Sequence, residues 1–253
     1  MSPADQGRFV RHDLRPTDPE RAEAFYGSLL GWEFRPRAMK GADYTVIRAG
    51  GSELGGLVPL GEGEGLSPHW IPYLAVDCCD EAARRVQVCG GQVRIPPTGI
   101  ASIGRFAIVQ DPFGAVFCTL SSDGVSNGGR RGGEGPGRIC WNECWTSGPA
   151  EAARFYREFL GWKSRRTRIG NLEYWVQSSG EEEIAGIMSL PEDGDRPCWI
   201  PYFHVRRLEE DLDRIPESDG EARILLGPCK IPGGGRYAIF RDPCGAPAGL
   251  FSP

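Results

Sequence analysis

The sequence predicts an α+β protein made by tandem duplication, each copy holding two βαβββ modules whose helices buttress curved sheets. Three observations carry that expectation. Four blocks repeat in the same order at a nearly constant offset, a glycine-rich segment parts the copies, and apolar periodicity within each copy alternates between strand and helix spacing.

The repeat comes first. Phe25-Tyr26-x-x-x-Leu30-Gly31-Trp32 recurs as Phe155-Tyr156-x-x-x-Leu160-Gly161-Trp162. Trp70-Ile71-Pro72-Tyr73 returns as Trp199-Ile200-Pro201-Tyr202, and Glu53-Leu54-Gly55-Gly56-Leu57 returns as Glu183-Ile184-Ala185-Gly186-Ile187. Gly104-Arg105-Phe106-Ala107-Ile108 with Asp111-Pro112-Phe113-Gly114 returns as Gly235-Arg236-Tyr237-Ala238-Ile239 with Asp242-Pro243-Cys244-Gly245. Residues 121–138 hold seven glycines in eighteen positions and almost nothing apolar, which reads as a flexible linker. The expected organisation is therefore a first domain over 1–120, the linker over 121–138 and a second domain over 139–253.

Within the first copy, Phe9 to Leu14 alternates as a strand. Asp18-Pro19 sets a capping side chain before a proline at the first helical position. Ala22, Phe25, Tyr26 and Leu29 follow at helical spacing, and Gly31 ends the helix. Short strands are expected over Trp32 to Arg35, Asp43 to Ala49 and Glu53 to Leu60. Trp70 to Val76 opens a second module, with a helix from Cys79 to Cys89 stopped by Gly90-Gly91. Strands near Gln92, from Arg105 to Gln110 and from Ala115 to Leu120 complete it.

Composition excludes several classes of function. The 253 residues are 40% apolar, enough for real cores, while 36 glycines and 21 prolines favour short strands and turns. A net charge of −5 argues against a nucleic-acid partner. No apolar run reaches the roughly 18 residues of a membrane span, and Met1 to Arg15 carries no hydrophobic signal core. Nine cysteines, an odd number with Cys78-Cys79 adjacent and no CxxC, read as reduced thiols of a cytoplasmic protein and exclude a zinc ribbon.

The helix motif FYxxxLGW and the turn DPxG, each present twice, resemble the vicinal oxygen chelate superfamily, which includes glyoxalase I, extradiol dioxygenases and bleomycin-resistance proteins. Trp141-Asn142-Glu143, WIPY and GRFAIVQDPFGA are similar to its tandem two-domain branch, typified by mycobacterial antigen-type proteins. The resemblance spans nearly the whole chain outside the linker. It implies that each pair of modules curves into a cup. It also implies a divalent ion held by His, Gln or Glu from the first and last strands of the modules. Counted onto this sequence, those positions fall at Arg11, Ile71, Cys118 and near Gly56 or Val58 in copy one. In copy two they fall at Trp141, Ile200, Gly249 and near Gly186 or Met188. Only Cys118 offers a donor, so no metal and no other cofactor is expected.

Strand alternation within that fold sends Trp141, Glu143 and Trp145 to one cavity, with Ile200, Tyr202 and His204 sharing it. Glu143, His204 and Tyr202 then form a polar group among tryptophans: either an acid–base set, or side chains that satisfy one another. In copy one the same faces carry Arg11, Asp13 and Arg15 beside Ile71, Tyr73 and Ala75, while His12 points away. Arg11 with Asp13 either grips a ligand carboxylate or phenolate or forms an internal ion pair. Tyr73, Trp141 and Trp145 complete the expected ligand-binding set. Cys118 reads either as a nucleophile or as an inert buried thiol.

Three readings of function follow. The first is metal-independent binding of a small, largely apolar or aromatic metabolite, as in sequestration by bleomycin-resistance proteins. The second is a cofactor-free isomerase, cyclase or lyase of specialised metabolism using Glu143 and His204. A metal-dependent glyoxalase or dioxygenase is the third, against which the missing ligands count. The expected partner is a small molecule. Two copies in one chain suit a monomer with internal pairing or a homodimer equally.

Overall fold

The computed structural model describes all residues except 1–5, 40–41, 62, 64, 101–103, 123–134, 193, 195, 216–221 and 232–233. The expected flexible linker lies mostly outside the described residues. Four βαβββ modules follow one another. The first holds β1 (Phe9–Arg15), α1 (Pro19–Leu30), β2 (Glu33–Met39), β3 (Ala42–Ala49) and β4 (Ser52–Leu57). The second holds β5 (His69–Ala75), α2 (Cys79–Val88), β6 (Gln92–Ile100), β7 (Gly104–Gln110) and β8 (Val116–Ser121). The third holds β9 (Ile139–Thr146), α3 (Pro149–Leu160), β10 (Lys163–Ile169), β11 (Leu172–Ser179) and β12 (Glu182–Ser189). The fourth holds β13 (Cys198–His204), the short α4 (Leu208–Leu212), β14 (Arg223–Lys230), β15 (Arg236–Arg241) and β16 (Pro247–Ser252).

Local chemistry sets the helices. Asp18 accepts the Arg21 N–H at 3.1 Å, Pro19 pre-sets the first turn, and Gly31 closes it at φ +66°. Helix α3 repeats the device with Pro149 and with Gly161 at φ +76°. In each module the helical crossover brings the last strand parallel to the first, while the strands between run antiparallel. The parallel registers recur: Asp13 sits opposite Gly56, Tyr73 opposite Cys118, Glu143 opposite Gly186 and Tyr202 opposite Gly249. The result is the expected α+β mixed sheet.

The compact units cut across the repeat. One gathers residues 1–11, 71–131 and 141–199, so it joins the second and third modules. The other gathers 12–70, 132–140 and 200–253, joining the first and fourth. Each has its own core. In the first unit, Phe155, Tyr156, Phe159 and Trp162 pack with Phe117, Cys144 and Trp199. In the second, Phe25, Tyr26, Trp32 and Trp70 pack with Phe203, Phe240 and Leu250.

The repeated motifs hold these units together. Tyr156 donates to Asp111 at 3.1 Å in the first unit, and Tyr26 donates to Asp242 at 3.0 Å in the second. Each aspartate also caps its own DPxG turn: Asp111 accepts the N–H groups of Phe113, Gly114 and Ala115, and Asp242 those of Cys244 and Ala246. Trp162 donates its indole N–H to the Gly7 carbonyl at 2.8 Å, and Trp32 does so to Gly137 at 2.7 Å. A buried phenol or indole needs such a partner, which explains why both aromatic residues recur in the motif.

Candidate functional site

Core membership fixes which way each strand faces. Cys144, Trp175, Ala185 and Ile187 pack toward α3, so the alternating Glu143, Tyr174 and Gly186 occupy the helix-free face of that sheet. By the same parity Leu14, Ile47 and Leu57 pack beneath α1, leaving Asp13, Tyr44 and Gly56 on the opposite face. Leu74 is in the core of its unit and Tyr73 is not; Phe203 and Val205 are in theirs, while Tyr202 and His204 are not. His12 shares the parity of Leu14 and is buried.

Glu143 joins a hydrogen-bond chain of aromatic side chains. One carboxylate oxygen accepts the Trp145 indole N–H at 2.9 Å, and the other accepts the Tyr174 hydroxyl at 2.9 Å. The Tyr174 oxygen in turn accepts the Trp141 indole N–H at 2.9 Å. Glu143, Tyr174 and Trp145 are buried, and Trp141 is half-buried at the open end. The carboxylate therefore makes the internal bonds that a structural role requires, and its donors are aromatic. In copy one the same pair persists without the indoles: Tyr44 donates to Asp13 at 3.2 Å. Arg11 and Arg15 stand where copy two has Trp141 and Trp145, and Arg15 donates to the carbonyls of Val58 and Pro59.

The remaining expected residues are placed individually. Tyr202 is buried, its ring 6.2 Å from that of Tyr237. His204 Nδ1 is buried and has no hydrogen-bond partner among the described residues. Tyr73 is half-buried beside the fully buried Cys118. Tyr44 and Tyr174 were not among the expected site residues. Their signal is a repeat: Tyr44-Thr45-Val46 and Tyr174-Trp175-Val176 recur at the offset of the other blocks, each tyrosine beside a glycine on the neighbouring strand.

Those glycines are part of the site. A Cβ on Gly186 would lie 1.8 Å from the Tyr174 hydroxyl, and one on Gly56 would lie 2.1 Å from that of Tyr44. A Cβ on Gly249 would lie 2.2 Å from the Tyr202 ring. Three tyrosine rings thus fill the space above backbone positions that carry no side chain of their own.

Comparison with known proteins fits this geometry. Residues 11–120 match the model of a family described as "Glyoxalase-like domain". Over 250 residues the chain is 30% identical to "Putative glyoxylase CFP32" of Mycobacterium tuberculosis, covering 95% of this chain and 93% of that one. The chain belongs to the vicinal oxygen chelate superfamily. It is also 30% identical, over 249 residues, to "Anthracycline biosynthesis protein DnrV" of Streptomyces peucetius, covering 92% of this chain and 89% of that protein. Among solved structures it is similar to the Mn(II)-bound glyoxalase from Novosphingobium aromaticivorans, with a TM-score of 0.69, 19% identity, and 98% and 82% of the two chains covered.

The superfamily raises the question of a divalent ion, and the donor chemistry answers it. At the positions onto which the superfamily's ligands map, Arg11, Ile71, Trp141 and Ile200 offer no lone pair suited to a divalent cation, and Cys118 is fully buried. At Gly56, Gly186 and Gly249 the tyrosine rings take the volume a ligating side chain would need. Among the described residues, no three His, Cys, Asp or Glu side chains converge as an ion would require. The residues present do not fit the ion.

Proposed function

We propose that this protein binds a small, flat, largely aromatic metabolite without a metal ion, on the helix-free face bearing Trp141, Glu143 and Trp145. The carrying observation is the chain from Trp145 through Glu143 and Tyr174 to Trp141, which commits the carboxylate to aromatic donors and sets indole and phenol surface around it. The likeness to a protein named for anthracycline biosynthesis supports a planar, fused-ring guest. Native mass spectrometry of freshly isolated protein tests the reading, with metal content measured on the same sample. The expected result is a bound organic molecule retained after chelator treatment; a stoichiometric divalent ion whose removal abolishes binding overturns it.

A second reading, cofactor-free acid–base turnover with His204 as the proton-handling group, draws on one observation. A buried imidazole nitrogen with no partner costs free energy, so His204 Nδ1 has a polar atom to offer a bound molecule. Turnover that survives chelator and disappears in His204→Ala, with ligand binding retained, would place this reading first.

A further inference from the structure

We infer that Trp141 is the specificity-determining platform of copy two, selecting electron-poor planar rings such as quinones, with Tyr174 as the residue that positions it. The inference rests on the binding reading above and narrows its ligand class. Trp141 is half-buried, so part of its indole is open to a guest, whereas Trp145 at the other end of the chain is buried. Its N–H is already donated to Tyr174 at 2.9 Å. An indole whose only donor is spent recognises a ligand through its π face alone.

The rest of the chain sets the character of that face. Tyr174 passes its own proton toward Glu143, and Trp145 donates to the same carboxylate. Hydrogen bonds in series polarise one another, and a chain ending on a carboxylate pushes electron density back into the donor ring. The face of Trp141 becomes more negative, and a ring depleted by carbonyl groups stacks on it better than a hydrocarbon ring of the same shape. Geometry adds a second constraint. Tyr174 is clamped above Gly186, where a Cβ would come within 1.8 Å of its hydroxyl, so the acceptor that orients Trp141 has little room to move.

Copy one supplies the internal contrast. It keeps the carboxylate and tyrosine as Asp13 and Tyr44, joined at 3.2 Å, but carries Arg11 and Arg15 in place of the two indoles. The same polar pair without a platform does not create this selectivity.

The test is a matched pair of probes, anthraquinone-2-sulfonate and anthracene-2-sulfonate, which share charge and outline and differ in ring electron density. Binding is measured by calorimetry on the full chain and on Trp141→Leu, Tyr174→Phe and Tyr44→Phe. The wild-type protein should bind the quinone about fivefold more tightly. Trp141→Leu and Tyr174→Phe should lose that preference while Tyr44→Phe keeps it. In protein labelled with 5-fluorotryptophan, the resonance missing from Trp141→Leu should shift on adding the quinone. Equal affinity for the two probes in the wild type, or a preference that survives Trp141→Leu, overturns this inference and leaves the binding reading intact. Failure of both probes to bind the wild type removes the binding reading and this inference with it.

Discussion

Tyr26 and Asp242 stand 216 residues apart on the chain and are joined inside one core by a hydrogen bond of 3.0 Å. The phenol comes from the helix motif of copy one and the carboxylate from the closing turn of copy two, and Tyr156 with Asp111 makes the reciprocal bond. Each duplicated motif is thus half of a pair whose other half lies in the other copy.

That bond should be measurable in stability. Tyr26→Phe keeps the ring but leaves a buried carboxylate oxygen without its donor, so about 1–3 kcal/mol of unfolding free energy should be lost. A double-mutant cycle with Asp242→Asn, read by denaturant unfolding, should show coupling between the two sites. Additive effects would show the contact to be energetically idle.

Burial also sets a pH dependence. It pushes the Asp242 carboxyl up from 3.8 to about 6, with the Tyr26 hydroxyl and backbone N–H groups pulling partly the other way. The folded state then holds the proton more tightly than the unfolded chain. Stability should therefore fall as pH rises from about 4 to about 6, by at most ~3 kcal/mol, and level off above. Asp111, raised for the same reason, acts in the same direction. Thermal melts across this window should slope downward in the wild type and flatten in Asp242→Asn; stability rising with pH would contradict the assignment.

Gly186 should tolerate no side chain while Tyr174 is present. Gly186→Ala sets a methyl 1.8 Å from the Tyr174 hydroxyl, and displacing that ring breaks its bonds to Glu143 and Trp141. A loss of about 1–3 kcal/mol is expected, as for other overpacked sites. Pairing it with Tyr174→Ala should make the added methyl harmless, so that the double variant is no less stable than Tyr174→Ala alone.

The cysteines offer a simple chemical check. All nine are free thiols, with Cys78 exposed and Cys79, Cys118 and Cys144 buried. An aromatic disulfide reagent at pH 8 should modify Cys78 first in the native protein, and Cys78→Ser should abolish that fast phase. Cys140 should lag although the residue is exposed: its thiol donates to the Tyr202 carbonyl at 3.4 Å, and desolvation pushes its pKa up to about 12. The three buried thiols should react only on unfolding.

The repeat, the four modules and most of their boundaries are legible along the chain because they rest on local chemistry. Asp18 and Pro19 start a helix and Gly31 ends it through contacts within a few residues, and alternation along β9 assigns faces to Glu143 and Cys144 without knowledge of neighbours. What those faces meet is set by packing between segments distant along the chain. Strand position groups Glu143 with His204 and Tyr202 but gives no sign of Tyr174, which reaches the carboxylate because the intervening Gly186 has no side chain. The exchange of motifs between copies was equally invisible. Tyr26 is as compatible with Asp111 as with Asp242 in composition and spacing, and the choice is made by which module packs against α1 when apolar surface is buried. Periodicity reports the direction in which a side chain points; the identity of the partner is a property of the packed chain.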